Sequence, residues 1–145
     1  MYFIFSYSFL MIRYRELRKL RFNGYGIAIV GARNVIVGGD SYISYMSRIY
    51  VGANSRLVIG SGVSIGHNVR IYTKSVDYSS FVETGEKNLI ESDVMIGDRV
   101  IIGGNVYIGP GVNICSGVVI GANAVVTKSI TLPGAYGGVP ARKIY

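Results

Sequence analysis

From residue 90 onward a large aliphatic side chain falls at every sixth position: Ile90, Ile96, Ile102, Ile108, Ile114, Ile120 and Val126. Four residues after each comes a second apolar residue: Val94, Val100, Val106, Val112, Val118, Ala124 and Ile130. Gly97, Gly103, Gly109 and Gly121 follow directly on the large one. The same beat occurs earlier at Ile59, Ile65 and Ile71, with Val63 and Val69 between them, and a looser form in "VGARNVIVGG" and "VGANSRLVIG" reaches back to about Val30. A period of six matches neither the 3.6 of a helix nor the 2 of a long strand. It is the signature of a repeat fold in which each hexapeptide is one short strand and one turn, as in parallel β-helices. Three such hexapeptides close one triangular coil. Coils stack at the ordinary strand spacing, and each buried backbone group finds its partner in the coil above or below. An amphipathic helix is excluded, because Gly at every sixth position costs about 1 kcal/mol each time. The pattern predicts that Ile96, Ile102, Ile108, Ile114 and Ile120 share one core. The spacing does not set the hand, and the general rule for parallel crossovers is right-handed.

Between Ile71 and Ile90, "IYTKSVDYSSFVETGEKNLI", the beat is lost and Gly all but disappears. Its two ends are separated by one coil plus one residue. The predicted organisation is therefore an all-β repeat domain over 26–145 that carries an irregular loop at about 76–89, preceded by a segment at 1–25. In that segment "MYFIFSYSFLMI" is too short to span a bilayer as a helix and lacks the flanks of a signal peptide. Leu10, Tyr14 and Leu17, with the stem of Arg21, have helical spacing, so residues about 8–21 are expected to form a short amphipathic helix. Two roles stay open for it: a helix packed on the domain with a solvated basic face, or an anchor at an anionic membrane surface through residues 1–21.

Composition narrows the chemistry. The chain has 145 residues and a formal net charge of +7, and "RYRELRKLR" (13–21) supplies +4 of it. With the charge so local, a nucleic-acid footprint is not expected. There is one Cys, Cys115, and one His, His67. An intrachain disulfide, a Cys-based zinc cluster and any metal site needing several His are excluded, so no metal is expected. No phosphate-binding "GxxxxGK[ST]" and no dinucleotide fingerprint is present. Cys115 stands where most repeats have Gly and is expected to be a wall residue.

The run 94–145, with its repeat, then "GANAVVTK", then "GVPAR", resembles the hexapeptide-repeat acyltransferases, and within them the branch that O-acetylates sugars and polysaccharide precursors. The resemblance covers roughly residues 30–145. It implies a left-handed parallel β-helix, a homotrimer with clefts between subunits, and acetyl-CoA as acyl donor. By the same resemblance Gly104, Ala122, Thr127, Lys128 and Arg142 are expected to bind the cofactor. From charge alone, Lys128 and Arg142 equally fit solvated ends of the domain. A role in acceptor binding is implied for Asn54, which on its own reads as a turn residue.

One position departs from the family. Its pattern runs like "IGHNVxIxTxxHDY", and this chain has "IGHNVRIYTKSVDYS", so Val76 stands where the family has its catalytic His. Acetyl transfer to a hydroxyl needs a proton acceptor, worth about 10²–10⁴ in rate, and an isopropyl group cannot serve. His67 and then Asp77 are the candidates for a substitute, with Lys74 and Tyr78 also flanking the lost position. His67 also fits a plain turn residue. The function implied is acetyl-CoA-dependent O-acetylation of a sugar or glycan acceptor, in the cytoplasm or at the inner face of the membrane. The alternative is a CoA-binding or structural β-helix trimer that has lost catalysis.

Overall fold

The computed structural model describes residues 2–145, with side chains from residue 8 on; Met1 and the side chains of 2–7, part of the expected membrane segment, lie outside the described residues. The chain begins with α1 (Tyr2–Arg13) and a single 3-10 turn, Arg15–Leu17. A first coil follows, made of β1 (Leu20–Asn23), β2 (Ala28–Val30) and β3 (Val35–Val37). The second coil is β4 (Ser41–Ser44), β5 (Arg48–Tyr50) and β6 (Leu57–Ile59). The third begins with β7 (Ser64–Ile65) and β8 (Arg70–Tyr72). It then leaves the prism as an arm, β9 (Lys74–Val76), α2 (Tyr78–Thr84) and β10 (Leu89–Glu91), and returns in β11 (Val94–Ile96). The fourth coil is β12 (Ile101–Ile102), β13 (Tyr107–Ile108) and β14 (Asn113–Ile114). The fifth is β15 (Val118–Ile120), β16 (Val125–Val126) and a bridge from Ile130 to Ile114. Finally β17 (Gly134–Gly137) and β18 (Arg142–Lys143) close the lower end.

Stacking the coils yields three parallel faces: seven strands in the order β1-β4-β7-β12-β15-β17-β18, five in the order β2-β5-β8-β13-β16, and four in the order β3-β6-β11-β14. Only β17 and β18 pair antiparallel within them. The result is a left-handed parallel β-helix of triangular section with a short N-terminal helix. Register stacks like on like. On the seven-stranded face Phe22, Ile43, Ile65, Ile102 and Ile120 form one inward column. On the five-stranded face Ile29, Ile49, Ile71, Ile108 and Val126 form another. The expected core set, Ile96, Ile102, Ile108, Ile114 and Ile120, is buried in it together with the interleaved valines.

The coils are not all of one length. Ile102 lies over Ile120, and three hexapeptides carry the chain from one to the other. Ile43 lies over Ile65, and there the chain is longer by four. The surplus sits at the corner between the five- and four-stranded faces, where the core positions Ile49 and Ile59 are ten apart in place of six. That is why the beat of "VGANSRLVIG" is loose. The same corner takes the arm: Ile71 and Ile96 are successive core positions, and more than three hexapeptides of extra chain lie between them.

Three expectations are corrected here. Residues 76–89 are not an irregular loop: β9 and β10 pair antiparallel and α2 lies between them. Asp77 caps that helix, its Oδ1 accepting the Ser80 N–H at 3.2 Å, and Gly85 closes it in the left-handed conformation (φ 74°). Ile90 is not a core position. It belongs to β10 in the arm and is 44% exposed. The helix expected over 8–21 ends at Arg13, because Leu20 and Phe22 alternate with polar neighbours and enter the first coil as a strand. The first coil thus starts inside the segment set apart as 1–25. Leu10, Tyr14 and Leu17 are buried, as a helix packed on the domain requires, and they cover the upper end of the prism. Tyr14 stacks on Phe22 and its hydroxyl accepts the Ile29 N–H at 2.8 Å.

The aliphatic columns leave no room for an unpaired charge. Ile108→Asp places a carboxylate at a fully buried position, at a cost of several kcal/mol. The expected outcome is loss of soluble, cooperatively folded protein, checked by expression yield and thermal unfolding followed by circular dichroism.

Candidate active site

The residues expected to carry function gather at two corners of the triangle and at the lower end. The first corner joins the seven- and five-stranded faces. There Tyr25, Tyr45, His67, Gly104 and Ala122 form one column down the helix. The carbonyl of each of the first four accepts the N–H of the residue after the next member, at Met46, Asn68, Asn105 and Asn123. Those four donors all have positive φ, 60°, 52°, 59° and 63°. Asn and Gly tolerate that conformation best, which explains the recurring Asn. Asn68 and Asn105 also stack through a side-chain hydrogen bond of 2.7 Å, and Arg70 donates to Asn68 Oδ1 at 2.9 Å.

Within this column the rings are ordered. Tyr25 stacks on Tyr45 with centroids 6.0 Å apart, and Tyr45 on His67 at 5.2 Å with only 9° between planes. Below His67 lies Gly104. A Cβ at Gly104 would come 2.6 Å from His67 Cε1 and 2.8 Å from Nε2. Gly104 is thus the seat of an imidazole as well as the expected neighbour of Ala122. On the lower side the column ends at β17 and β18, where Arg142 is exposed beside Lys143.

The second corner joins the five- and four-stranded faces, and from it the arm departs. Val76 is half-buried in β9, opposite Leu89. Asp77 is used as a helix cap. Thr127 and Lys128, both exposed, follow β16 at the same corner in the lowest coil. Asn54 lies in the four-residue surplus above the arm. It is not a left-handed turn residue; its N–H donates to Glu91 at 2.7 Å, and the residue is exposed.

Glu91 is a residue that sequence reasoning missed. Its Oε1 accepts the Asn54 N–H and the Ser55 hydroxyl (2.9 Å), and its Oε2 lies 3.4 Å from Lys74 Nζ. The Asn54 N–H holds the carboxyl below the usual carboxylate range; partial burial opposes this, and the Ser55 hydroxyl and the Lys74 ammonium reinforce it. Beside it Thr73, fully buried, accepts the Gly52 N–H at 2.9 Å and shares a 2.7 Å hydrogen bond with Ser55. The Ser92 N–H closes on the Thr73 carbonyl at 2.9 Å. The two ends of the arm are thereby pinned to one another and to the coil above. Sequence offered no signal for this, because Asn54 and Glu91 are separated by a coil and the whole of the arm. On the arm's inner side burial pushes the Tyr107 phenol up, helped by the neighbouring Tyr78 and Tyr72 and opposed by a hydrogen bond with Ser75.

His67 and Val76 are therefore not neighbours within one chain; they belong to opposite edges of the five-stranded face. Cys115 is half-buried against the core and lines a groove of about 590 Å³ with Met95, Asn113 and Thr131. That groove is on the four-stranded face and its third corner, and none of the expected site residues lines it.

Comparison with known proteins agrees with this geometry. The bacterial transferase hexapeptide (six repeats) profile matches residues 93–128. A maltose O-acetyltransferase from Clostridium difficile 630 is 30% identical, superposes with a TM-score of 0.78, and is matched over 96% of this chain and 75% of its own. A hexapeptide-repeat-containing acetyltransferase from Vibrio cholerae, solved with acetyl coenzyme A, is 25% identical with a TM-score of 0.75, over 95% of this chain and 76% of its own. A galactoside acetyltransferase in complex with coenzyme A is 26% identical with a TM-score of 0.72, over 87% and 63%. No curated protein matches by sequence. The chain belongs to the hexapeptide-repeat acyltransferases.

The latch at Glu91 has a definite pH signature. A carboxyl whose pKa is lower in the folded state adds stability above its unfolded value, and loses it as pH falls through the folded one. Glu91→Gln should lower the thermal midpoint at pH 7. The gap to the unmutated protein should close in acid, below the ordinary carboxylate value of 4.5. Thermal unfolding of both proteins at pH 7 and in acid checks this.

Proposed function

We propose that the protein is an acetyl-CoA-dependent acetyltransferase that O-acetylates a sugar or polysaccharide precursor, acting as a homotrimer with its sites between neighbouring subunits. The observation that carries this is the division of the expected site between two corners. His67, Gly104 and Ala122 stand on one edge of the five-stranded face, and Val76, Asp77, Asn54, Thr127 and Lys128 on the other. One prism cannot bring its own two edges together, so a complete cleft takes the first corner of one copy and the second corner of the next. The arm supports the same arrangement. It exposes Tyr78, Phe81, Val82, Leu89 and Ile90, and α2 has no buried residue. Such a concentration of apolar side chains on a projection suits contact with another surface.

In this proposal the pantetheine arm of CoA runs along the first corner past Ala122 and Gly104. Thr127, Lys128 and Arg142 meet its polar end, where charge-assisted contacts to phosphate are strong. Asn54 lies beside the arm on the acceptor side. The acceptor hydroxyl attacks the thioester carbonyl directly, and backbone N–H groups of the corner stabilise the oxyanion. The donor accords with the relatives solved with acetyl coenzyme A and with coenzyme A; the reading of a sugar acceptor draws its support from the two named for maltose and galactoside. Val76 favours one second reading, a CoA-binding trimer without transferase activity.

Removing both cations tests the cofactor half. Lys128→Ala with Arg142→Ala should weaken coenzyme A binding at least tenfold, about 1.4 kcal/mol, by titration calorimetry. Unchanged affinity would refute the assignment. Release of free thiol from acetyl-CoA with a sugar panel then separates the two readings: binding without turnover favours the second.

The N-terminal segment fits a peripheral contact with the inner face of the cytoplasmic membrane. Phe9 and Ile12 are 60% and 78% exposed, beside the exposed Arg13, Arg15, Arg18, Lys19 and Arg21. No helix among the described residues is long and apolar enough to cross a membrane. Co-sedimentation with anionic vesicles should show binding that falls with salt and disappears when residues 1–21 are deleted. Absence of binding by the full chain at low salt would end the idea.

A further inference from the structure

The only histidine of the chain is held more closely than an exposed turn residue requires. Its ring lies flat between the Tyr45 ring on one side and the Gly104 backbone on the other. Tyr25 backs Tyr45, so three rings form one stack. Any side chain at 104 would collide with the imidazole, yet Gly104 has no positive φ. The absence of a side chain there makes room for the ring and serves no turn. Among the described residues neither ring nitrogen has a hydrogen-bond partner, and the residue is exposed. The groups facing it, a phenol ring and a peptide turn, carry no charge.

Its height in the column is equally specific. The coil of His67 starts at β7, and β18 with Arg142 lies four strands further down the seven-stranded face. At the ordinary spacing this is about 19 Å, the reach of an extended pantetheine arm together with its pyrophosphate. With the phosphates at Arg142, the thioester arrives beside the imidazole. At the lost position and beside it the arm has no free base: Val76 is aliphatic, and the Asp77 carboxylate is occupied as a helix cap.

We propose that His67, on the first corner, is the proton acceptor of the transfer reaction, replacing a base on the arm. This rests on the acetyltransferase reading above. The neutral imidazole takes the proton of the acceptor hydroxyl while its oxygen bonds to the thioester carbonyl carbon. The carbon–sulfur bond then breaks, the thiolate leaves with the bonding pair, and the imidazolium returns the proton to it. The products are the acetyl ester and free CoA thiol, with no other reactant. The Tyr45 ring and the Gly104 backbone are positioning elements that fix the plane of the imidazole.

Because there is one His, selective labelling at the imidazole gives one resonance, which reports directly on this site in the full chain. Titration with coenzyme A should displace that signal, with the midpoint found by calorimetry. Binding without displacement overturns the placement of His67 and leaves the acetyltransferase reading standing. No binding at all overturns that reading and the proposal with it. The second arm measures thiol release from acetyl-CoA with maltose and with methyl galactoside as probes. The unmutated rate should fall below the pKa read from the same resonance. His67→Gln should lower it about 100-fold and abolish that limb. Gly104→Ala should displace the resonance in the free protein and lower the rate as well. An unmutated protein no faster than the uncatalysed reaction, or a His67→Gln protein with an unchanged rate, overturns the base role. So does a rise in rate and CoA affinity in His67→Gln, which would mark the ring as an obstruction. Val76→His restoring the rate in a His67→Gln background would instead support it, because either corner could then supply the missing imidazole.

Discussion

Every strand of the five coils depends on the coil above or below for its backbone partners. A strand of two or three residues has no stability alone; it persists because its N–H and C=O groups are taken up along the stack. In-register parallel stacking then forces each inward side chain over its equivalent, so that Ile43, Ile65, Ile102 and Ile120 form one line. A shift of one residue would turn the aliphatic line outward, and register is accordingly strict. Length can vary only where the ladder is already interrupted, which is at the corners.

The three corners have diverged under that constraint. The first keeps one length through the last four coils and gains a single residue in the first, with a left-handed residue at each turn and one residue before it that stacks on its equivalents. Such a site presents side chains at regular heights along the axis, which suits an elongated ligand and lets a ring be clamped from both sides. The second corner has taken up most of the surplus length, above all as the four extra residues around Asn54 and then as the arm. Its side chains are positioned by a local polar cluster. Thr73, Ser55, Glu91 and Lys74 satisfy one another and the backbone at the point where the chain leaves the prism, so the arm departs at a fixed angle without a core of its own.

The placing of Val76 on the arm and of His67 on the first corner is understandable in these terms. A side chain on the arm is held by a two-stranded ladder and a short helix cap. One on the first corner is held by the stack itself. Val76 pairs across from Leu89 and contributes apolar surface to the arm, while the chain's single imidazole sits between the Tyr45 ring and the Gly104 backbone.

The core columns were legible in the sequence because inward side chains repeat wherever coils repeat, and neither a helix nor a long strand has that period. The family was legible in the closing run for the same reason. What failed was counting across a break. Ile90 keeps the six-residue beat back from Ile96 although the chain is there still on its excursion; a beat carries no record of whether the chain is on the prism. The helical spacing of Leu10, Tyr14 and Leu17 was legible, and of the two roles left open for that face packing on the domain is the one their burial fits, but two alternating residues at Leu20 and Phe22 are too short a signal to end a helix by. The site was the least legible. The path between stacked positions is about twice as long from Ile65 to Ile102 as from Ile102 to Ile120. Distance along the chain therefore does not give height or corner. His67 rests on Gly104, which follows it only after the whole arm, while Val76, far nearer in sequence, lies at the opposite edge of a face. The stacking of the coils decided both, since only the backbone ladder fixes which corner each residue reaches.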